Sequence, residues 1–269
     1  MVYLKSESEI EKMRRAARLV SRTLAEVAKH VEPGVATGKL DRVADEFLKK
    51  KGGRPAFKGY GPRNNPFPAT LCISINEEVV HGIPGERTLQ DGDIVSIDCG
   101  VELNGYYGDH GYTFAVGECD EDTLRLLRVT LESLYRGIDQ AVHGNKVGDI
   151  SWAIQSHCEA ENFGVVRDLV GHGLGKNLHE DPSVPNFGRK GRGVRLRSGM
   201  TLAIEPMITA GDWRVKTLDD GWTIVTADGK RSAHYEHDIV VREGEAEILS
   251  TFDYITEITK NEILDSGYG

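Results

Sequence analysis

A ten-residue pattern occurs twice in this chain, and the repeat constrains the fold more than any other feature. The two copies are LQDGDIVSID at 89–98 and LRSGMTLAIE at 196–205. Each copy begins with leucine, has glycine at its fourth position, and continues as a strand that ends in an acidic residue. Repetition of this kind predicts an internal duplication, with two similar halves related by a pseudo-twofold axis.

Two further segments repeat in the same order and support the duplication. YGDHGYTFAVGE at 107–118 resembles YEHDIVVREGE at 235–245, which aligns Asp109-His110 with Glu236-His237. Before each strand set, a glycine-containing pattern recurs: Gly34, Gly38 and Leu40 correspond to Gly144, Gly148 and Ile150. Each half therefore carries two acids at matching places, and the duplication predicts four carboxylates gathered at the axis.

The order of the predicted elements indicates an α+β fold. Apolar spacing predicts helices over 8–30, from Thr37 to the glycines at 52–53, over 120–142 and over 148–162. Residues 54–69 are expected to form a long loop, and strands are predicted at about 70–75 and 93–98, with a hairpin afterwards and more strands in the C-terminal half. This order predicts helices packed on a curved, mostly antiparallel β-sheet. We expect one domain over 1–269, with a weakly structured tail at about 252–269.

Composition excludes several classes of protein. The net charge of −9 disfavours DNA as a partner, because phosphate binding needs a basic surface. No apolar run reaches the roughly 18 residues that a membrane span requires, and the N-terminal segment lacks the apolar region of a signal peptide. The four cysteines show no C-x-x-C spacing, which disfavours a zinc finger or a disulfide framework. A cytoplasmic location is the resulting expectation.

The register of the hairpin can be predicted from its turn. If Asn104 and Gly105 form a two-residue turn, Asp98 lies opposite Gly111. Asp109 is then a diagonal neighbour of Asp98 on the same face, with Cβ atoms about 7 Å apart. Both carboxylates can therefore reach one small object between them.

Four converging carboxylates need a counter-charge. Two buried acids can share a proton or bind a cation, but four acids would need several protons. Two divalent cations about 3.5 Å apart are the better solution, and a histidine ligand shifts the preference from calcium towards transition metals. The candidate histidines are His172 and His179 in GHGLGKNLHEDP, and His81 in EEVVHGIPG.

Each candidate also has a structural interpretation. Asp98 alone could cap a turn, and a single histidine could be an ordinary core or surface group. Glu236 could lie on a solvated strand face, and Trp222 could only pack in the core. Glu205 is the strongest single candidate because apolar residues flank it on both sides. The repetition of acids at equivalent strand ends favours a site.

From about Ser8 to Leu249 the sequence resembles the type I methionine aminopeptidases of bacteria, M24 metallopeptidases with the pita-bread fold. No zinc-finger extension precedes the first helix, which favours the bacterial subgroup. The resemblance rests on six segments: CISINEEVVHGIPG, DGDIVSIDCG, YGDHGYTFAVG, GHGLGKNLHEDPSVPNFG, GMTLAIEPMI and GWTIVTADGKRSAHYEHDIVV.

The resemblance implies a dinuclear metal centre and an activity. Removal of the initiator methionine from nascent proteins is implied, with a small second residue preferred and a metal-bound hydroxide attacking the scissile carbonyl. Glu205 would move the proton, His179 would stabilise the oxyanion, and His81 would contact the scissile amide. The implied ligands of two divalent cations (Co, Mn, Fe, Zn or Ni) are Asp98 on one metal, His172 and Glu205 on the other, and Asp109 and Glu236 bridging both.

The resemblance also implies a methionine pocket and further partners. The pocket would comprise Tyr60, Phe67, Cys72, Leu178 and Trp222, beside His81 and His179. A monovalent cation (Na or K) is implied near Asn76 and Ser232. Nascent polypeptide N-termini are the implied partners. The basic segment RKGRGVRLR at 189–197 is either a solvated loop or a contact with ribosomal RNA. A monomer is expected.

Three features depart from the family pattern and bear on the shape of the pocket. The stretch between Tyr60 and Cys72 is longer than usual, with GPRNNPFP at 61–68 inserted. Leu178 stands where a larger apolar residue is common. His110 and Gly111 replace small or hydroxyl residues beside Asp109.

Three other functions remain as alternatives. A proline-specific aminopeptidase or dipeptidase would share the metal site, although such chains carry an additional N-terminal domain. A creatinase-like hydrolase would keep the fold without metal. A pseudoenzyme would use the fold to bind ribosomes or other proteins. The complete set of five candidate ligands disfavours the last two.

Overall fold

The computed structural model describes residues 2–259 of the chain. Five helices lie within this range: α1 (Glu7–Ala28), α2 (Thr37–Lys51), α3 (Glu121–Ile138), α4 (Val147–Ala160) and α5 (Asp253–Thr259). The first four confirm the helices predicted from apolar spacing, with ends displaced by a few residues.

Local sequence explains where the helices begin and end. At the start of α1, the main-chain N–H of Ser6 donates to the Glu9 carboxylate at 3.0 Å, as the capping-box spacing requires. α2 ends where Gly52 adopts a left-handed conformation with φ of 77°, which costs glycine little. At the start of α3, the Asp120 carboxylate accepts a hydrogen bond from the main-chain N–H of Thr123.

The strands form four antiparallel sheets among the described residues. In the first half of the chain the strands are β1 (Arg54–Pro55), β2 (Leu71–Ile75), β3 (Glu78–Val80), β4 (Ile94–Leu103) and β5 (Tyr106–Ala115). In the second half they are β6 (Gly164–Val165), β7 (Val170–Gly173), β8 (Glu180–Pro185), β9 (Thr201–Ile204), β10 (Met207–Thr209), β11 (Val215–Thr217), β12 (Ile224–Thr226), β13 (Ser232–His234), β14 (His237–Val240) and β15 (Glu247–Ile248). The strand orders of the four sheets are β1-β4-β2 with β5 on β4, β13-β10-β6, β11-β12-β3, and β15-β14-β9-β7-β8.

The β4–β5 hairpin has the predicted register. Asn104 and Gly105 both have positive φ angles, 53° and 81°, as a tight two-residue turn requires. Asp98 pairs with Gly111, and Asp109 pairs with Gly100. The two acids are therefore diagonal neighbours on one face of the hairpin.

The internal duplication is visible in the main-chain hydrogen bonds that fasten α2 and α4. Gly34 N–H donates to the Leu89 carbonyl at 2.7 Å, and Gly144 N–H donates to the Leu196 carbonyl at 3.0 Å. Leu89 and Leu196 are the first residues of the two repeated sequence patterns. Each helix start is thus tied to the equivalent leucine of its own half.

The helices cover the sheets and enclose the main core. α1 contacts β4, β5 and α2, whereas α3 packs on α4 and contacts β13, β10 and β9. The stripe on α1 that includes Ile10, Met13, Val20 and Leu24 is fully buried. Burial of this apolar surface holds each helix pair against the strands of its own half.

Two predictions about irregular segments are wrong in part. α5 forms within the expected weakly structured tail, because Phe252 and Ile255 are buried in the main core and hold the segment against α1. Residues 260–269 of that expected tail lie outside the described residues. The expected loop at 54–69 begins with β1, whose two residues pair with β4. Between residues 2 and 259, none of the helices combines the length and apolar composition needed to cross a membrane.

Candidate metal centre and active site

A cavity of about 140 Å³ lies where strands of the two halves meet. It is lined by both acids of each half, by three histidines and by a group of apolar side chains. The lining residues are Phe57, Tyr60, Phe67, Cys72, His81, Asp98, Asp109, His172, Leu178, His179, Glu205, Trp222 and Glu236. The structure therefore brings together every residue that the sequence places in the metal site, the catalytic group and the methionine pocket.

Strands of both halves position the four acids, although the strand predicted to end at Asp98 continues to Leu103, so that Asp98 lies within β4. Asp98 and Asp109 project from the β4–β5 hairpin, and Glu205 directly follows the last residue of β9. Glu236 lies between β13 and β14, where its main-chain N–H donates to the Gly111 carbonyl at 2.9 Å. That hydrogen bond joins the second half of the chain to the hairpin of the first half, beside the acids of both.

The donor set fits divalent cations. Ligand atoms of Asp109, His172 and Glu236 lie within 4.8 Å of one another. His172 Nδ1 donates to the Gly173 carbonyl at 2.9 Å, so Nε2 carries the free lone pair. Nε2 lies 3.6 Å from Glu205 Oε1 and 3.9 Å from Asp109 Oδ2. Asp98 Oδ1 is buried and has no hydrogen-bond partner among residues 2–259, as expected of an oxygen reserved for a cation.

Burial makes the acids of this cluster hard to ionise without a cation. It raises the pKa of Asp98 to about 7. Burial also raises the pKa values of Asp109, Glu205 and Glu236 well above their usual range, and the neighbouring carboxylates add to each shift. Divalent cations would reverse this penalty by supplying positive charge at the point where the carboxylates converge.

The histidines of the cavity are neutral at physiological pH. Burial lowers the pKa values of His81 and His172 to about 4, and it also lowers the pKa of His179. The hydroxyl of Tyr60 lies 2.6 Å from His179 Nδ1. With the phenol as donor, the ring proton of His179 lies on Nε2, which can then donate to a substrate oxygen.

The remaining lining residues make an apolar compartment. Phe57, Phe67, Cys72 and Leu178 are all less than one-tenth exposed and form a separate hydrophobic cluster with Trp222 packed against it. Phe67 meets Trp222 edge-on, with ring centroids 5.2 Å apart. Phe57 was not predicted as a lining residue; its position just before Tyr60 in RPAFKGY was the available signal.

Two buried polar residues beside the metal cluster were also not predicted. Asp238 accepts a hydrogen bond from the main-chain N–H of Asp109 at 2.8 Å. His234 Nε2 lies 3.8 Å from Glu205 Oε2. The signal was the alternation in SAHYEHDIV, because residues 234, 236 and 238 are spaced two apart and strand side chains two apart share a face.

Asn76 and Ser232 are neighbours, but they do not line the cavity. The main-chain N–H of Ser232 donates to the Asn76 carbonyl at 2.8 Å. The Ser232 hydroxyl donates to the Ile208 carbonyl at 3.0 Å, and the Asn76 side chain bonds to Asp93 and to the N–H of Ile94. The structure thus places Asn76 and Ser232 side by side, outside the cavity.

Comparison with known proteins decides the family. The model of metallopeptidase family M24 matches residues 11–243. The methionine aminopeptidase of Clostridium perfringens is 54% identical over 251 residues, which are 93% of this chain and 99% of the relative. The chain belongs to the methionine aminopeptidases of family M24.

Other methionine aminopeptidases show the same likeness along nearly the whole chain. Methionine aminopeptidase 1 of Bacillus subtilis is 51% identical over 250 residues, covering 93% of this chain and 99% of the relative. The crystal structure of the methionine aminopeptidase from Thermotoga maritima superposes with a TM-score of 0.90 at 48% identity, covering 93% of this chain and all of that one. The pita-bread fold and the bacterial type I subgroup, both predicted from the sequence, are confirmed.

Proposed function

We propose that this chain is a metal-dependent aminopeptidase that removes the N-terminal methionine from proteins. One observation carries the proposal: an apolar compartment opens directly onto a cluster of four carboxylates and a histidine. The compartment can take one unbranched apolar side chain, and the cluster lies where the adjoining peptide bond would be. Methionine suits such a compartment because its side chain is flexible and apolar.

The metal ligands are Asp98, Asp109, His172, Glu205 and Glu236. When bound, two divalent cations supply Lewis acidity and lower the pKa of water to near neutrality. The His172–Gly173 hydrogen bond keeps Nε2 directed at the cluster, and the hairpin register keeps Asp98 and Asp109 on one face. The carboxylate-rich donor set with a single imidazole accommodates Co, Mn, Fe, Zn or Ni.

Glu205 moves the proton in this reaction. Its carboxylate faces the cavity, 3.6 Å from His172 and 3.8 Å from His234. The Glu205 carboxylate lines the cavity with the other acids, within reach of a water molecule at the cluster, and can therefore act as a general base. It takes a proton from the attacking water and returns it to the departing amino group.

His179 and His81 line the same cavity and act on the substrate. The Tyr60 hydroxyl holds His179 so that its Nε2–H can stabilise the negative charge that develops on the scissile carbonyl oxygen. His81 has a φ angle of 60°, an unusual conformation for histidine, and its ring lies 6.2 Å from Trp222. From this position His81 contacts the scissile amide.

The substrates are nascent polypeptides with a free N-terminus and a small second residue, in the cytoplasm, and the enzyme works as a monomer. A ribosome contact is supported by the exposed loop 189–197, which concentrates positive charge on a chain of net charge −9. Lys190 also lies 4.9 Å above the ring of Trp152, which is 44% exposed. Replacing Arg189 and Arg192 with glutamine should weaken salt-sensitive cosedimentation with ribosomes, whereas the same change at Lys39 and Lys50 should not.

A monovalent cation, Na or K, is proposed near Asn76 and Ser232. Support comes from their adjacency and from the carbonyl groups of Asn76 and Ile208, which lie beside Ser232. Potassium replacement by choline should lower thermal stability by a small amount in the wild type. Equal stability in the two salts at the same ionic strength would refute this site.

The decisive test is methionine release from Met-Ala-Ser by metal-stripped protein. Co(II), Mn(II), Fe(II) and Zn(II) are added singly under anaerobic conditions. We expect activity to return with metal, to be lost in Glu205→Ala, and to persist in the matched surface variant Glu245→Ala. Absence of release with every metal, from protein shown to be folded, would refute the proposal. Cleavage of X-Pro peptides instead would identify a proline-specific enzyme.

A further inference from the structure

The inserted segment of the chain makes contacts on two sides of the cavity. Residues 60–67, here called the rim loop, are closed at the base by main-chain hydrogen bonds between Tyr60, Phe67 and Gly59, each 2.8 Å long. Tyr60 at one end bonds to His179, and Phe67 at the other end lines the apolar compartment. Between them, Asn65 reaches the turn that carries Trp222.

Asn65 is joined to that turn by two hydrogen bonds that run in opposite directions. The indole Nε1–H of Trp222 donates to the Asn65 main-chain carbonyl at 3.0 Å. The Asn65 side-chain Nδ2 donates to the Asp220 main-chain carbonyl, also at 3.0 Å. The Asp220 carboxylate in turn accepts hydrogen bonds from the main-chain N–H groups of Trp222 and Thr223. Hydrogen bonds to Asp220 thus stabilise the turn that carries Trp222, and Asn65 joins this turn to the rim loop.

Close packing also restricts the indole of Trp222. Gly61 has a φ angle of 94°, and a Cβ atom placed on it would lie 2.4 Å from Cη2 of the indole. On the inner side, Phe67 meets the ring edge-on at 5.2 Å. The indole is held between Gly61 and Phe67, and the hydrogen bond at Nε1 fixes its rotation.

We propose that Asn65 is a positioning residue that holds Trp222 at the rim of the cavity and thereby limits the size of the residue after the methionine. This inference rests on the proposed function. The methionine side chain fills the apolar compartment, so the chain beyond the scissile bond must leave past the partly exposed rim formed by Tyr60, His179 and Trp222. A rim that is hydrogen-bonded to main-chain groups resists displacement by a bulky second residue.

The test compares Asn65→Ala with Asn64→Ala. The two residues are exposed neighbours in the rim loop, and no side-chain hydrogen bond of Asn64 is found among the described residues. The kcat/KM ratio of Met-Ala-Ser to Met-Leu-Ser is measured for both variants and the wild type. We expect Asn65→Ala to lower this ratio by about five-fold, the effect of one uncharged hydrogen bond, with little change in kcat on Met-Ala-Ser. Asn64→Ala should keep the wild-type ratio, and equal ratios in all three proteins would overturn the inference.

A second measurement follows Trp222 without relying on catalysis. With Trp152→Phe and Trp213→Phe as the background, Trp222 is the only tryptophan of the chain. Acrylamide quenching of its fluorescence should increase when Asn65→Ala is added and stay unchanged when Asn64→Ala is added. Equal quenching with and without Asn65→Ala would overturn the positioning role of Asn65, whatever the kcat/KM ratios of the two peptides. If the wild type released no methionine, the proposed function would fail, and quenching would still decide whether Asn65 holds Trp222.

Discussion

The main-chain N–H of Asp109 donates a 2.8 Å hydrogen bond to the carboxylate of Asp238, which lies on β14 in the other half of the chain. Asp238 is only 1% exposed, and its Oδ1 has no partner among residues 2–259. Burial raises the pKa of Asp238 well above its usual range. A buried acid therefore lies directly behind the proposed metal ligand Asp109, where it orients the strand that carries that residue.

We predict that Asp238→Ala weakens metal binding by about 10- to 100-fold, the usual effect of removing a group that orients a ligand. Asp238→Asn keeps an acceptor for the Asp109 N–H and should therefore weaken metal binding less than Asp238→Ala does. Titration of the metal-stripped variants with Mn(II) measures the metal affinity of each. Asp219→Asn, at an exposed acid, is the control. Equal affinities for Asp238→Ala and the wild type would show that Asp238 has no role in orienting Asp109.

The Tyr60–His179 pair predicts a graded loss of activity. His179→Ala removes a donor to the developing oxyanion and should lower kcat by about 100- to 1000-fold. Tyr60→Phe removes only the hydrogen bond that orients His179, and we expect a loss of about 3- to 10-fold in kcat. Steady-state kinetics on Met-Ala-Ser distinguish the two. A loss in Tyr60→Phe as large as in His179→Ala would mean that the phenol itself contacts the substrate.

Metal binding should depend on pH between 6 and 8. Burial raises the pKa of Asp98 to about 7, and it raises the pKa values of Asp109, Glu205 and Glu236 well above their usual range. Carboxyl groups of this cluster that are protonated in that pH range must release their protons when a cation binds. The pKa of His172 is lowered to about 4, so this ligand is already neutral and releases none. Apparent affinity for Mn(II) should therefore fall as the pH drops below about 7. Calorimetry in two buffers of different ionisation enthalpy detects the released protons, and identical heats would contradict the prediction.

A buried ion pair beside His179 should contribute to stability. The Lys5 ammonium lies 2.7 Å from the Glu180 carboxylate, and both side chains are less than one-tenth exposed. Glu180 also accepts the main-chain N–H groups of Lys176 and Asn177, so it fixes the loop before His179. Lys5→Met should destabilise the protein by about 3 kcal/mol, because it leaves the carboxylate buried without its partner. Chemical denaturation measures the free energy of unfolding, and Lys39→Met, at an exposed lysine, is the control.

When Glu180→Gln is added to Lys5→Met, part of the lost stability should be recovered, because no buried charge then remains unpaired. A double variant no more stable than Lys5→Met would show that the ion pair is not the source of the loss. Metal content of both variants should remain that of the wild type, since neither residue is a candidate ligand.

The duplication, the helices and the hairpin register could be predicted from the sequence, and the family followed from the resemblance of six segments. The helices and the register follow from local rules: apolar spacing sets the helices, and a two-residue Asn-Gly turn allows one pairing of Asp98 with Gly111. The acids were also predictable, because an acid follows an apolar run at the same place in both halves, although Asp98 lies within β4 and Glu205 just after β9. α5 was missed because only its packing through Phe252 and Ile255 favours a helix there.

The residues that support the site from other parts of the chain are visible only in the folded protein. Asp238 lies behind Asp109, although 129 positions separate them in sequence. Asn65 meets Trp222 across a separation of 157 positions. Such contacts depend on how the two halves pack and on the path of the rim loop, and neither is encoded in the periodicity of a short segment. The chemistry of the site could therefore be predicted from the sequence, whereas the orientation of its ligands and the width of its rim required the folded chain.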